Sequence, residues 1–358
     1  MIHVFIGTKA QYIKTAPVMR EMDRRQVPYR LIDSGQHGEF ASQLRTGLGV
    51  REPDIHVGGS TDITTISGAL RWSAALSLKA INKRRLTDEV FGGDRDGICV
   101  IHGDTPTTWL SGMLAHRCGL SVAHIESGLR SESLLHPFPE ELIRIAVMRR
   151  AEVLFAPNDA AVANLARMRT RGAIVPTGGN TSIEAVAYAL GDTEINARGP
   201  AVLTTHRVEN LKNRDTMHRF VSLLETVAAQ HPAVFVMHPP TESALVSLGL
   251  MERVQASGAD VVPLADYAEF LTMIARAPFV VSDGGSIQEE CALIGVPTLV
   301  WRKRTERADG IGDNIVLSEF DDTIIDNFLS NFDNLRRPPS ELSATPSVQI
   351  VDILEGWA

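Results

Sequence analysis

The chain has little cysteine, no long apolar run and no basic excess, and each shortage closes off a class. Its three cysteines, Cys99, Cys118 and Cys291, are scattered through 358 residues without a C-x-x-C pair. That excludes a disulfide scaffold and a cysteine-based zinc site and fits a reducing compartment. No apolar stretch approaches the roughly 20 residues of a membrane span. A formal net charge of −8 argues against a general nucleic-acid binder, although it leaves room for a local basic pocket. The opening segment, Met1-Ile-His-Val-Phe-Ile-Gly7, reads as a strand and lacks the basic start of a signal peptide. A cytoplasmic location is therefore expected, with neither membrane nor nucleic acid as a partner. No repeat of solenoid period is visible.

What is present is an ordinary globular composition, 44% hydrophobic and 22% charged, in a chain long enough for two cores. Short apolar runs alternate with helix-period stretches from end to end. The first series of expected strands is His3–Ile6, Tyr29–Asp33, Ile98–His102, Ser121–Ile125, Val153–Ala156 and Ile174–Pro176. The second is Ala201–Thr204, Ala233–Met237, Val261–Pro263, Phe279–Ser282 and Pro297–Val300. Helical patterns such as Ile13–Met22, Thr108–Ala115, Glu140–Met148 and Thr216–Ala229 fall between them. Such alternation predicts parallel sheets covered on both faces, and unbroken apolar strands predict full burial. The pattern restarts after the polar, Gly/Pro-containing stretch from Tyr188 to Pro200. The expected architecture is thus α/β, with two Rossmann-like, doubly wound domains facing across a cleft. The Pro- and Ser-rich stretch Arg336–Ser347 resembles a linker before a terminal helix, Val348–Trp357.

Several segments place reactive groups just beyond a strand, where open α/β sheets bind ligands. In Phe279-Val-Val-Ser-Asp-Gly-Gly-Ser-Ile-Gln-Glu-Glu290 a strand, a glycine turn and a helix start follow one another. Free N–H groups at a helix start favour an anion, and Glu290, about one turn on, suits a ribose diol. An ordinary βα turn explains the segment as well. Ile101-His-Gly-Asp-Thr-Pro-Thr-Thr108 puts Asp104 at a strand end, where it or a threonine can equally cap a helix. Ala123-His-Ile-Glu-Ser-Gly-Leu-Arg130 repeats the arrangement with Glu126, and two adjacent strands delivering acids to one edge favour a role in the cleft. Pro137-Phe-Pro-Glu-Glu-Leu-Ile-Arg144 opens a helix on which Glu140 and Arg144 stand four apart, either as a surface ion pair or with Glu140 aimed inward. His206, in Thr204-Thr-His-Arg-Val-Glu-Asn210, should lie on the interdomain face. Trp301-Arg-Lys-Arg-Thr-Glu-Arg307 carries four basic residues that can meet phosphates or simply be solvated. Asp94-Arg-Asp96 imitates a metal-binding D-x-D but reads as a turn.

In this order and spacing the set resembles the UDP-N-acetylglucosamine 2-epimerase family, of the non-hydrolysing type. The matching segments are Gly7-Thr-Lys-Ala-Gln-Tyr-Ile-Lys14, His102-Gly-Asp-Thr105, Glu126-Ser-Gly-Leu-Arg130, Pro139-Glu-Glu-Leu-Ile-Arg144, His206-Arg-Val-Glu-Asn210, Asp283-Gly-Gly-Ser-Ile-Gln-Glu-Glu290 and Thr305-Glu-Arg307. The resemblance implies a glycosyltransferase-B-like fold, usually homodimeric. An N-terminal domain over 1–185, completed by a C-terminal helix over 346–358, would face a UDP-binding domain over 186–345. It also implies inversion at C2 of a UDP-2-acetamido sugar by elimination and re-addition of UDP, in the synthesis of cell-surface polysaccharide precursors. Asp104, Glu126 and Glu140 would be the acid/base candidates, while His206 and Lys14 support the diphosphate. Gly284, Gly285 and Ser286 would donate to the diphosphate from the helix start. Glu290 would hold the ribose, with Lys9, Arg144 and Arg307 near the substrate. The elimination calls for neither metal nor cofactor.

The chain departs from the family pattern in places. Lys9-Ala-Gln11 stands where G-T-R-P-E is usual, which replaces a bidentate arginine by a point charge. Asp283-Gly-Gly-Ser286 permutes the usual D-S-G-G. Gln36 and His37 survive from a segment that helps hold an activating second UDP-sugar, but Gly38, Glu39 and Ile66 stand where polar or cationic contacts are usual, so that site should be weak. A hydrolase releasing UDP and free sugar, a glycosyltransferase of the same fold and a binding protein that has lost catalysis are the competing functions. Retention of Asp104, Glu126, Glu140 and His206 argues against the last.

Overall fold

Unbroken apolar runs become the strands of two all-parallel sheets. The computed structural model describes residues 1–35, 39–58, 82–130, 139–305, 307–340 and 345–358. Gln36, His37, Gly38 and Ile66, on which the second-site expectation rests, lie outside the described residues. Contacts divide the chain into two units, Met1–Ala185 with Ser343–Ala358, and Val186–Leu342. The division falls inside the helix Ser182–Leu190.

The first unit holds β1 (Ile2–Ile6), β2 (Tyr29–Asp33), β3 (Ile55–His56), β4 (Ile98–His102), β5 (Ser121–Ile125), β6 (Val153–Ala156) and β7 (Ala173–Pro176). Their order is β3-β2-β1-β4-β5-β6-β7, every pair parallel. Each residue of β1 and β4 is buried, as full helical cover on both faces requires. Phe5, Ile32, Ile101, Leu114, Met148 and Leu154 belong to one core cluster. The second unit repeats the plan with β8 (Ala201–Thr204), β9 (Ala233–Met237), β10 (Asp260–Pro263), β11 (Val280–Ser282), β12 (Thr298–Val300) and β13 (Ile315–Leu317), ordered β10-β9-β8-β11-β12-β13. Leu203, Phe220, Phe235, Phe279, Trp301 and Phe328 form its core.

In both sheets the strand order reverses beside the first strand, between β1 and β4 and between β8 and β11. A crevice opens at such a point because the connections on its two sides leave in opposite directions. At the first reversal, Thr8 caps the helix Lys9–Arg25 in a capping box with Gln11. The Gln11 amide also donates to the carbonyl of His102 at 2.8 Å and to Thr108 Oγ1 at 2.9 Å, tying the loop after β1 to the loop after β4. Gly7 admits no side chain there, since a Cβ would fall 2.4 Å from Thr107 Cγ2. Thr105, not Asp104, caps the helix Pro106–Cys118. That leaves the Asp104 carboxylate for other work.

Two strands escape the sequence reading, β3 with two residues, too short to show a pattern, and β13 with three. The terminal helix begins at Pro346, two residues before the apolar pattern starting at Val348, because proline suits the first helical position. Asp94 forms the expected turn. It accepts N–H groups from Asp96 and Gly97 and meets His3 Nε2 at 2.9 Å, joining the start of β1 to the turn before β4. All three cysteines are buried thiols.

Candidate active site

Adjacent strands bring the first acids together. β4 and β5 are paired through His102 and Ile125, so Asp104 and Glu126 leave the same edge of the first sheet. Gly103 turns the chain at a φ of +72°, and Glu126 itself sits at +66°. That left-handed conformation costs a residue with a side chain on the order of 1–3 kcal/mol and persists only where its surroundings impose it. The surroundings are explicit. Lys14 Nζ donates to Glu126 Oε1 at 2.6 Å, Asn180 Nδ2 donates to the same oxygen at 2.7 Å, and His102 Nδ1 lies 3.9 Å from Oε2. Lys14 is thus a buried charge partner of Glu126.

Asp104 is paired with Arg144 Nη2, and Arg144 Nη1 donates to Glu141 Oε2 at 3.2 Å. The i, i+4 pair of Arg144 with Glu140 allowed by the spacing is not formed; the guanidinium turns to Asp104 and Glu141 instead. Glu141 is fully buried and also takes Arg130, so one carboxylate holds two arginines. Glu140 differs from its neighbours. Its Oε2 is buried and has no hydrogen-bond partner among the described residues. Buried polar atoms are rarely left so. Its place in the first turn of the helix Glu140–Met148 sets it against the positive end of that helix.

The sequence reading did not find Glu141 or Asn180. Asn180 follows β7 in the run Gly178-Gly-Asn180, the same signature of a turn and a polar group after a strand that marked Asp104 and Glu126. Glu141 was legible only as the second of two glutamates.

In the second unit the reversal point is bound by Asp283. Completely buried, it accepts Thr205 Oγ1 at 2.7 Å, the backbone N–H groups of His206 and Arg207 at 3.0 Å each, and Asn210 Nδ2 at 2.9 Å. One carboxylate therefore pins the loop after β8 to the loop after β11. His206 stacks on His238 with ring centroids 4.6 Å apart and planes 17° from parallel. A Cβ at Gly284 would come within 2.9 Å of His206 Cε1, so glycine lets the imidazole close on the turn. The helix Gly285–Ile294 begins at Gly284 with no side-chain cap, and Gly285 and Ser286 are half-buried in its first turn.

Further along that helix Glu290 is buried, as is Tyr267. Burial together with the negative charge of Glu290 pushes the Tyr267 phenol well above its ordinary range. Glu289 receives Arg307 Nη1 at 2.8 Å. Gln288 donates to the carbonyls of Arg307 at 3.2 Å and Asp309 at 3.1 Å, which fastens the basic loop to the helix. Lys9, half-buried, opens the helix after β1 in the first unit. The two candidate sets consequently belong to different units: Lys9, Lys14, Asp104, Glu126, Glu140 and Arg144 in the first, and His206, Gly284, Gly285, Ser286, Glu290 and Arg307 in the second.

Two parallel Rossmann-like sheets with these reversal points define a glycosyltransferase-B-like protein. The UDP-N-acetylglucosamine 2-epimerase family model matches residues 20–345, and the chain belongs to that family. It is 25% identical over 347 residues to the UDP-N-acetylglucosamine 2-epimerase of Methanocaldococcus jannaschii, covering 90% of each chain. To the Bacillus subtilis UDP-N-acetylglucosamine 2-epimerase it is 28% identical over 323 residues, covering 85% of this chain and 79% of that one. The crystal structure of the Methanocaldococcus jannaschii enzyme in complex with UDP-GlcNAc and UDP has the same fold, with a TM-score of 0.81 over 99% of both chains at 23% identity.

Proposed function

We propose that the protein inverts C2 of a UDP-2-acetamido sugar, interconverting UDP-GlcNAc and UDP-ManNAc or a related pair. The observation that carries this reading is the convergence of carboxylates in the first unit. Asp104 and Glu126 are each matched to a cation, while the buried Oε2 of Glu140 has no hydrogen-bond partner among the described residues. A proton on C2 is weakly acidic, so its removal needs a placed base and a stabilised leaving group. In the elimination a carboxylate takes the C2 proton and C1–O cleaves. Its electron pair leaves on UDP, and C1 and C2 become doubly bonded. Protonation of C2 from the opposite face and return of the UDP oxygen to C1 complete the inversion. Glu140 is the best-placed proton acceptor of the three. Glu126, held by Lys14 and Asn180, and Asp104, held by Arg144, serve as the remaining acid/base pair. Incubation with UDP-GlcNAc followed by anion-exchange analysis tests the assignment. A second nucleotide sugar is expected, whereas stoichiometric UDP with free sugar would establish hydrolysis instead.

UDP is placed at the start of the helix Gly285–Ile294, with Gly284, Gly285 and Ser286 donating to the diphosphate and His206 beside it. Glu290 takes the ribose diol, and Arg307 flanks the nucleotide. Glu290→Ala is expected to weaken UDP binding by about 1–3 kcal/mol, the scale of losing a charged hydrogen-bond partner. Isothermal calorimetry with UDP reads this directly, and unchanged affinity removes Glu290 from the site.

The working form is proposed to be a cytoplasmic homodimer. No described helix is long and apolar enough to cross a membrane. Trp109 and Met113, four residues apart on the helix Pro106–Cys118, are 40% and 41% exposed and offer an apolar contact for a second copy. Light scattering should return twice the chain mass, with Trp109→Glu shifting the population toward monomer; a wild-type monomer would rule the dimer out.

A further inference from the structure

Asp104 and Glu126 stand on separate loops, and one buried side chain bonds both loops. His124, on β5, has no exposed surface. Its Nε2 lies 2.7 Å from the carbonyl of Gly103, the residue before Asp104. Its Nδ1 lies 2.7 Å from Oγ of Ser127, the residue after Glu126. The protons can be assigned by elimination. A carbonyl only accepts, so Nε2 carries the hydrogen. A neutral ring then offers a lone pair at Nδ1, which the Ser127 hydroxyl must fill. The same hydroxyl donates to the His124 carbonyl at 2.9 Å, so its single proton is shared between that carbonyl and Nδ1. Burial pushes the imidazole down to about 4, so the ring is neutral at neutral pH and matches this one-donor, one-acceptor arrangement.

The loop carrying Glu126 needs such a clamp. Gly103 and Glu126 each hold a positive φ, at +72° and +66°, and for Glu126 no local preference maintains it. A backbone bond from Gly103 N–H to the Ile125 carbonyl at 3.1 Å joins the two strand ends once. The imidazole joins them a second time at the residues bordering the two acids. We propose that His124 is a positioning residue, which fixes the separation of the Asp104 and Glu126 carboxylates through Gly103 and Ser127 without touching substrate. This inference rests on the epimerase reading above.

The test compares His124→Phe, which keeps the ring and removes both bonds, with His124→Gln, which keeps a donor toward Gly103. His124→Phe should lower kcat by roughly 30-fold, within the ~100-fold that a displacement of about 1 Å costs. KM should stay within about threefold and UDP affinity should not change, since an interaction that matters only in the transition state moves kcat alone. His124→Gln should recover most of the loss. A packing role would lower the melting temperature, leave kcat per folded enzyme intact and favour Phe over Gln; that pattern overturns the proposal. Should neither variant fold, Ser127→Ala carries the test. It should lower kcat about fivefold at constant KM and shift the His124 Nδ1 15N resonance as that nitrogen loses its donor, with the proton still on Nε2 opposite the Gly103 carbonyl; an unchanged kcat or an unchanged Nδ1 resonance overturns it. Wild-type enzyme serves as the control. If it produces no C2 epimer, the epimerase reading fails and the proposal falls with it. A wild-type enzyme that epimerises, with variants that do not respond, sinks the positioning role alone.

Discussion

Glu140→Gln is expected to slow epimerisation by at least about 100-fold, the usual scale of a lost acid–base group, with little effect on stability. The substitution is nearly isosteric, and the buried Oε2 has no partner among the described residues to lose. Asp104→Asn and Glu126→Gln should cut the rate on the same scale, but with a different signature. Asp104 is paired with Arg144, and Glu126 with Lys14, which is 5% exposed. Removing the Glu126 charge leaves the buried Lys14 poorly compensated and costs stability as well as rate, whereas Arg144 keeps Glu141 when Asp104 is neutralised, so that cost is smaller. Steady-state rates should therefore be read beside melting curves. A rate within tenfold of wild type for Glu140→Gln would remove it from the proton transfer.

The largest effect on stability should come from Asp283→Ala. Four groups donate to this completely buried carboxylate, two of them backbone N–H groups. Alanine would leave the Thr205 hydroxyl and the two backbone N–H groups without this acceptor, while Asn210 Nδ2 would keep only the Trp301 carbonyl at 3.1 Å. Each such group costs about 1–3 kcal/mol, and the costs do not add in full, so a loss of roughly 3–5 kcal/mol is expected. Asp283→Asn retains one oxygen for these donors and should cost less. Trp301, buried in the same core, is the one tryptophan between Val186 and Leu342, and its fluorescence reports unfolding of that unit in urea. An Asp283→Ala midpoint within error of wild type would contradict the role assigned to this carboxylate.

The architecture was legible because parallel strands buried on both faces are written as unbroken apolar runs. Val153–Ala156 and Ala201–Thr204 could be bounded to the residue for that reason. β3 was not legible, since its pair Ile55–His56 is held by register with Ile32 and Asp33 rather than by a pattern of its own. The candidate acids followed from strand-end logic, but their partners did not. Lys14 and Glu126 are 112 residues apart, and Asn180 and Glu126 are 54 apart. Only the strand order brings them together, and sequence spacing carries no trace of it. Asp283 shows the same limit in reverse. Read as the head of an anion-binding turn, it proves to be the acceptor that holds the turn shut, while the helix start behind it keeps its first-turn N–H groups clear of any capping side chain.

The central claim is that inversion proceeds through loss and return of the C2 proton. Proton NMR of UDP-GlcNAc incubated with the enzyme in D2O tests it most directly. Deuterium should enter C2 of both epimers as they interconvert, with the protons at C1, C3 and C4 retained. Epimerisation with the original C2 proton still in place would contradict the elimination mechanism and the roles given to Asp104, Glu126 and Glu140.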